Sequence, residues 1–346
     1  MLKTFTLVAF LLSTWSSAYG QANFYQGKHI LLIVGAGPGG MGDLRAKALA
    51  AGLTRNIPGN PPFVFQYMAG GGGRRAANQI FNNSKPDGLT LLRVTSSIIP
   101  YAVLGESGVQ YDIDKFNYLG ATEHQLYYMF VTRKDAGINS LEKLRTTPGI
   151  RIGSNPVGHT GYLQSRMLAY LLDLKDPKIV PGYEGKDLDV AMAAGEVDGR
   201  IAATGTVSQN ELLSKNLADF HVGLGVPASY KDPRFAHLKL PDLSSFAKSG
   251  KERKLLVMLE GFRVVGTILI APPGTPKERV DLLKEAVRKT YADAQFAADY
   301  KRLTGGDDPS PLLPDEQAKI VRGIPRDPEI IELFKKFAST APLPPR

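Results

Sequence analysis

Five glycines fall within residues 35–42, directly behind the apolar run Ile30-Leu31-Leu32-Ile33-Val34. Glycine tolerates positive φ and close approach to its backbone. A strand that empties through such a turn into a helix therefore presents converging N–H groups and the positive end of the helix. That combination holds an anion. The spacing Gly35-x-Gly37-x-x-Gly40 also fits the dinucleotide-binding fingerprint. Two features oppose that match. The acid that would close the second strand and bind a ribose is absent, because the strand ends Gln66-Tyr67-Met68. Asp43 would also place a negative charge beside a pyrophosphate at the helix start. A small carboxylate needs only the N–H groups of residues 37–42. Asp43 itself reads either as the helix N-cap or as a residue that meets a water, cation or hydroxyl of the ligand.

A second loop, Gly153-Ser154-Asn155-Pro156-Val157-Gly158-His159-Thr160-Gly161, also follows a strand and precedes a helix. Ser154 and Thr160 offer hydroxyls; His159 is either a ligand contact or a solvent-facing residue. Two such loops predict a cleft between two domains that close on a ligand. Elsewhere no catalytic constellation emerges. His29, His124, His159, His221 and His237 lack metal-ligand spacing, there is no cysteine, and no Gly-x-Ser-x-Gly elbow occurs. No cofactor is expected.

Alternating strands and helices position these loops. Strands are expected at 29–34, 63–68 and 89–94, with helices at 43–54 and 74–81 between them and a glycine turn at 70–73. The strand–helix–strand order signals a parallel sheet. A second block places strands at 126–132, 150–153, 180–183 and 197–203 and helices at 140–145, 162–172 and 188–194. The tail adds a strand at 264–270, a helix capped by Thr275-Pro276-Lys277-Glu278 and a last helix opened by Asp327-Pro328.

The N-terminus reads as a targeting segment. Lys3 supplies a short positive region, residues 5–12 are apolar, and Ala18 and Gly20 are spaced like a cleavage site. The run falls short of the ~20 residues that span a bilayer. Residues 1–22 are thus expected to be a signal peptide, cleaved near 18–22, and the protein exported to the periplasm. With no twin-arginine pair, export is expected to proceed unfolded, without a preloaded cofactor. The absence of cysteine removes disulfides and a lipid-modified anchor. The net charge of +9 suits anionic ligands, but no dense basic run with interleaved aromatics appears, so no nucleic-acid partner is expected.

Taken together, the motifs resemble those of the periplasmic receptors of tripartite tricarboxylate transporters, the Bug or TctC-type proteins. The resemblance runs over residues 28–305. It rests on Pro38-Gly39-Gly40-Met41-Gly42-Asp43, the 70–73 glycine turn, Asp87-Gly88-Leu89-Thr90-Leu91, Gly153-Ser154 with Gly158-His159-Thr160, Tyr183-Glu184-Gly185, Gly195-Glu196-Val197-Asp198 and Ala271-Pro272-Pro273-Gly274-Thr275-Pro276. It implies an α/β fold of the type II periplasmic-binding class, two domains with mostly parallel sheets joined by two crossover strands. The domains would be 23–124 plus 266–346, and 125–265, with hinges near 122–126 and 262–266. It also implies a monomer that pins a small carboxylate between the two loops and hands it to the membrane subunits of a carrier. Ligand contacts are expected at Ala36, Gly37, Pro38, Gly39, Gly40, Met41, Gly42, Asp43, Ser96, Ser97, Ser154, Val157, Gly158, His159, Thr160, Tyr162 and Thr204. The chain departs from the family at Gly42, where a hydroxyl residue is usual, and at Gly35-Ala36, where Pro-Phe is usual. Arg74 and Arg75 would lie on a helix surface or add charge near the cleft. An exported sensor of the same fold, or a flavin or nicotinamide enzyme, are the alternatives.

Overall fold

The computed structural model describes residues 24–124, 127–212, 214–225 and 235–346. The expected signal peptide lies outside the described residues, as does the 125–126 part of the first expected hinge. Among the described residues no helix is long and apolar enough to cross a membrane.

The chain builds two five-stranded sheets. The first contains β1 (Ile30–Val34), β2 (Phe63–Tyr67), β3 (Thr90–Val94), β4 (Asn117–Ala121) and β10 (Ile268–Ala271) in the order β2-β1-β3-β10-β4. The second contains β5 (Tyr128–Arg133), β6 (Arg151–Gly153), β7 (Lys178–Val180), β8 (Gly199–Ala203) and β9 (Ala218–Leu224) in the order β7-β6-β8-β5-β9. β1 pairs parallel with β2 and β3, and β6 pairs parallel with β7 and β8. One strand in each sheet runs against the rest. β10 is antiparallel to β3 and β4, and β5 is antiparallel to β8 and β9. These two strands are the ones that enter a sheet from the other lobe, so their reversed direction follows from the crossing.

Local sequence accounts for this placement. β1 is apolar throughout and lies between two neighbours; β2, at the edge, alternates half-buried and exposed residues. The crossing into β10 turns at Gly266, with φ +74°. A Cβ there would lie 2.3 Å from the Glu123 carbonyl oxygen, so glycine alone fits where the two crossing segments touch. The core forms around Leu92, Phe130, Leu163, Phe262 and Phe334, with a second cluster behind β1 that includes Leu32, Leu49 and Val287.

Several elements differ from the sequence reading. The helix after β1 is Met41–Asn56, with Gly40 at its N-cap, so Asp43 is its third residue rather than its cap. The strand expected at 264–270 begins only at Ile268, because the helix Gly250–Val264 occupies the approach; a capping box of Ser249 and Glu252 opens that helix. The helix Lys277–Ala292 has Pro276 at its N-cap, and the Thr275 hydroxyl donates to the Pro272 carbonyl at 2.8 Å instead of capping. β7 ends at Val180, leaving 181–186 as a loop. The helix Pro328–Ala338 is capped by Asp327 as read, but it packs on the helices Thr160–Leu171 and Gly250–Val264, beside the second sheet. Tyr170 meets Phe337 edge-on at 5.1 Å and Phe262 meets Phe334 at 5.4 Å, and Arg346 bonds Glu252 at 2.9 Å. The tail expected to finish the first domain therefore rests on the second.

Candidate functional site

The loops that follow β1, β2 and β3 face the loops that follow β6, β7 and β8. In open α/β sheets ligands sit outside the carboxyl ends of the strands, and here two such edges meet. Between them, and reaching back to the crossing segments, lies a cavity of about 250 Å³.

Hydroxyls close its upper part. The Thr160 N–H donates to Ser97 Oγ at 3.1 Å, and the Ser97 hydroxyl lies 3.1 Å from Thr160 Oγ1. Ser96 Oγ is 3.4 Å from the same Thr160 oxygen. His159 stands at the N-cap of the helix Thr160–Leu171. Its Nδ1 accepts the Gly161 N–H at 3.0 Å, which leaves the proton of the neutral ring on Nε2, 3.4 Å from Thr95 Oγ1 across the cleft. Burial pushes the imidazole pKa down to about 4, so the ring is neutral at pH 7. Ser154 Oγ is buried in the wall and has no hydrogen-bond partner among the described residues.

Guanidinium groups form the floor. Arg45, Arg93, Arg200 and Arg263 all line the cavity. Arg93 Nη2 meets Glu123 Oε1 at 2.6 Å, and its Nη1 donates to the Gly42 carbonyl at 3.0 Å. Arg45 pairs with Asp307 at 3.1 Å and lies 3.8 Å from Glu123. Arg200 pairs with Asp189, and Arg263 with Glu260. Of these four acids only Glu123 reaches the cavity wall. Burial would raise the Glu123 pKa, but Arg93, Arg45 and the Thr122 and Thr267 hydroxyls outweigh it and hold the group ionised below the usual range. Positive groups thus face the cavity while most of their counter-charges stand behind, an arrangement that favours an anion.

Of the expected contacts, Ala36, Met41, Gly42, Ser96, Ser97, Ser154, His159 and Thr160 line the cavity. The others do not. Gly37, Pro38, Gly39 and Gly40 are absent from the cavity wall, and the expected nest at 37–42 is partly filled by the protein itself: the Gly39 N–H donates to Asp43 Oδ2 at 2.7 Å. Asp43 is fully buried and also receives Lys47 at 2.9 Å and the Tyr67 hydroxyl at 2.7 Å. Gly158 packs on Tyr101, where a Cβ would sit 2.8 Å from the ring, and its neighbour Val157 does not reach the cavity. Tyr162 donates to the Ser339 carbonyl at 2.7 Å, and Thr204 to Asp307 at 3.3 Å. Arg74 lies over the Tyr101 ring at 5.0 Å and Arg75 is exposed, so neither reaches the cavity. The sequence reading passed over the arginine floor. Its signal was present: Arg93 interrupts the apolar strand Leu91-Leu92-Arg93-Val94, and Arg200 stands inside β8. A charge within a buried strand needs a partner or a ligand.

No protein-family model matches this sequence, and no curated protein matches it. Solved structures do. The chain is similar to the periplasmic binding protein BugD, at 20% identity over 90% of this chain and 98% of that one, with a TM-score of 0.69. It is likewise similar to MatC (Rpa3494) from Rhodopseudomonas palustris with bound malate, at 20% identity, 90% and 99% coverage and a TM-score of 0.66. A third is R. palustris Rpa4515 with adipate, at 21% identity, 90% and 96% coverage and a TM-score of 0.67. The two-lobed fold of the type II periplasmic binding proteins is thereby shown, and the resemblance read from the motifs holds for the fold.

Proposed function

We propose that this protein is an exported, monomeric solute-binding receptor that captures a small carboxylate between its two lobes and delivers it to the membrane subunits of a tripartite carrier. One observation carries this reading: the cavity between the facing loop sets, lined by the hydroxyls of Ser96, Ser97, Ser154 and Thr160 and by four arginines. Its size suits a small organic acid. The malate and adipate bound by the neighbours MatC and Rpa4515 support that ligand class. On this reading the protein works in the periplasm after loss of residues 1–22, binds no nucleic acid, uses no cofactor and catalyses no reaction.

Binding energy would shift an open–closed equilibrium about the two crossings near 122–126 and 262–266. We keep the division 23–124 plus 266–346 against 125–265 but assign the tail from Pro328 onward to the second lobe, a choice its packing on the helices Thr160–Leu171 and Gly250–Val264 supports. The eight expected residues that line the cavity, together with Arg45, Arg93 and Arg200, are the proposed ligand shell.

A thermal-shift screen of the mature chain over di-, tri- and aromatic carboxylates, with sugars and peptides beside them, tests the reading. A ligand at 100 times its dissociation constant adds about 2.7 kcal/mol of stability. Stabilisation by sugars or peptides and by no carboxylate would overturn it.

A further inference from the structure

The turn after β2 is a true nest, and its anion belongs to the opposite lobe. Gly70, Gly71, Gly72 and Gly73 all have positive φ, at 106°, 61°, 59° and 91°. A turn of this kind can aim backbone N–H groups into one concavity, and here those of Gly70 and Gly72 converge. Glu184 fills it: the Gly70 N–H donates to Oε2 at 3.0 Å and the Gly72 N–H to Oε1 at 3.1 Å. Both carboxylate oxygens are thus held by backbone of the first lobe, while Glu184 stands in the 181–186 loop of the second.

That loop is itself fixed. The Tyr183 N–H donates to the Ser154 carbonyl at 3.2 Å, and Asn155 Nδ2 donates to the Tyr183 carbonyl at 3.2 Å. Glu184 is therefore tied to the same Ser154 loop that lines the cavity. A Cβ on Gly72 would lie 2.3 Å from the Tyr101 hydroxyl and 2.9 Å from His159, so glycine is required where the lobes press together. Of the other contacts between the lobes, Thr95 to His159 and Ser96 and Ser97 to Thr160 join neutral groups, and the Thr204 hydroxyl donates to the Asp307 carboxylate at 3.3 Å. Glu184 brings an ionised acceptor to two donors, and such bonds are roughly twice as strong as neutral ones.

We propose that Glu184 is a latch: its carboxylate in the 70–73 nest holds the two lobes shut and sets how readily the cleft opens. The latch acts whatever the cavity binds. It is a positioning residue: Glu184 itself is absent from the cavity wall, although Leu188, further along the same segment, is part of it. Closure then has a built-in component that a ligand does not have to supply, and the closed state is populated before capture.

The test uses the full mature chain without added ligand, so its failure leaves the receptor reading standing. Wild type, Glu184→Ala and Glu184→Gln are compared by small-angle scattering and by amide exchange at Gly70 and Gly72, with circular dichroism to confirm that each is folded. Glutamine keeps the shape but turns an N–H₂ toward a donor. Both variants are expected to show a larger radius of gyration and exchange at the two glycines faster by about tenfold or more, the loss of a hydrogen bond to a charged group. A Glu184→Gln protein with the scattering and exchange of wild type would overturn the latch. So would opening in the alanine variant alone, which would point to packing rather than charge.

Discussion

The Tyr67 hydroxyl donates to Asp43 Oδ1 at 2.7 Å, joining the end of β2 to the first turn of the helix that follows β1. Tyr67 stands where a dinucleotide fold would end its second strand in an acid, and Asp43 stands where a pyrophosphate would meet the helix. The two features that spoke separately against a nucleotide are one bond. The phenol and the Gly39 N–H hydrogen-bond a fully buried carboxylate whose charge Lys47 balances. The glycine loop is thereby braced by an internal anion, and its rim is not free for a diphosphate.

Tyr67→Phe removes one donor and is expected to cost about 1–2 kcal/mol, whereas Asp43→Ala strands the Gly39 N–H and the Tyr67 hydroxyl together and should cost about 3 kcal/mol. Urea unfolding at pH 7 measures both. Equal and negligible shifts in midpoint would mean that the loop is braced elsewhere.

Glu123 and Arg93 form a buried pair where the chain leaves the first sheet, each at most 4% exposed on its side chain. Removing one partner leaves the other charged in a poor environment. Glu123→Gln is expected to destabilise by about 3–5 kcal/mol. Replacing both, with Arg93→Met added, should recover part of that loss. A double variant as unstable as the sum of its singles would contradict the pairing.

Two histidines make stability depend on pH. Burial lowers His159 and His221 alike to about 4, and His221 Nε2 lies 2.8 Å from Thr132 Oγ1. An unfolded histidine titrates near 6.5. Between these values the unfolded chain binds more protons, so stability rises with pH across that window. It is lost as pH falls from about 6.5 toward 4. The carboxylates with lowered values, Asp43, Glu123 and Asp198 among them, act below that window: their contribution is present above about 4 and goes as pH drops through their folded values. Denaturant unfolding at pH 7.5 and 5.0 should show the histidine slope, and His221→Gln should flatten part of it. A flat profile above pH 5 in wild type would show that neither ring is kept neutral.

Much of the fold was legible because its signals are local. Ile30 to Val34 reads as a strand buried on both faces, Asp327-Pro328 opens its helix, and the order of elements gives parallel sheets. What was not legible depends on partners distant in sequence. β4 and β9 lack a clean alternation and are set by the strands beside them. Val264 continues a helix that tertiary packing favours over the apolar strand pattern. At the site, the hydroxyls of Ser154 and Thr160 announce themselves by type, and they line the cavity together with the expected Ser96 and Ser97. Arg45 looks like an ordinary helix charge until Asp307, 262 residues on, closes on it, and Arg93, though out of place in an apolar strand, meets its partner Glu123 only in the fold. The 70–73 turn was seen as a turn, but its occupant, Glu184, lies 112 residues from Gly72.

Calorimetric titration of a carboxylate that stabilises the mature chain, run on wild type, Ser154→Ala, Thr160→Val and Tyr162→Phe, tests the cavity most directly. Ser154 and Thr160 line it, while Tyr162 faces Ser339. One site per chain is expected, with affinity reduced about tenfold in the first two variants, one to two lost hydrogen bonds, and unchanged in the third. Unchanged affinity in Ser154→Ala and Thr160→Val alike would place the ligand elsewhere and contradict capture between the lobes.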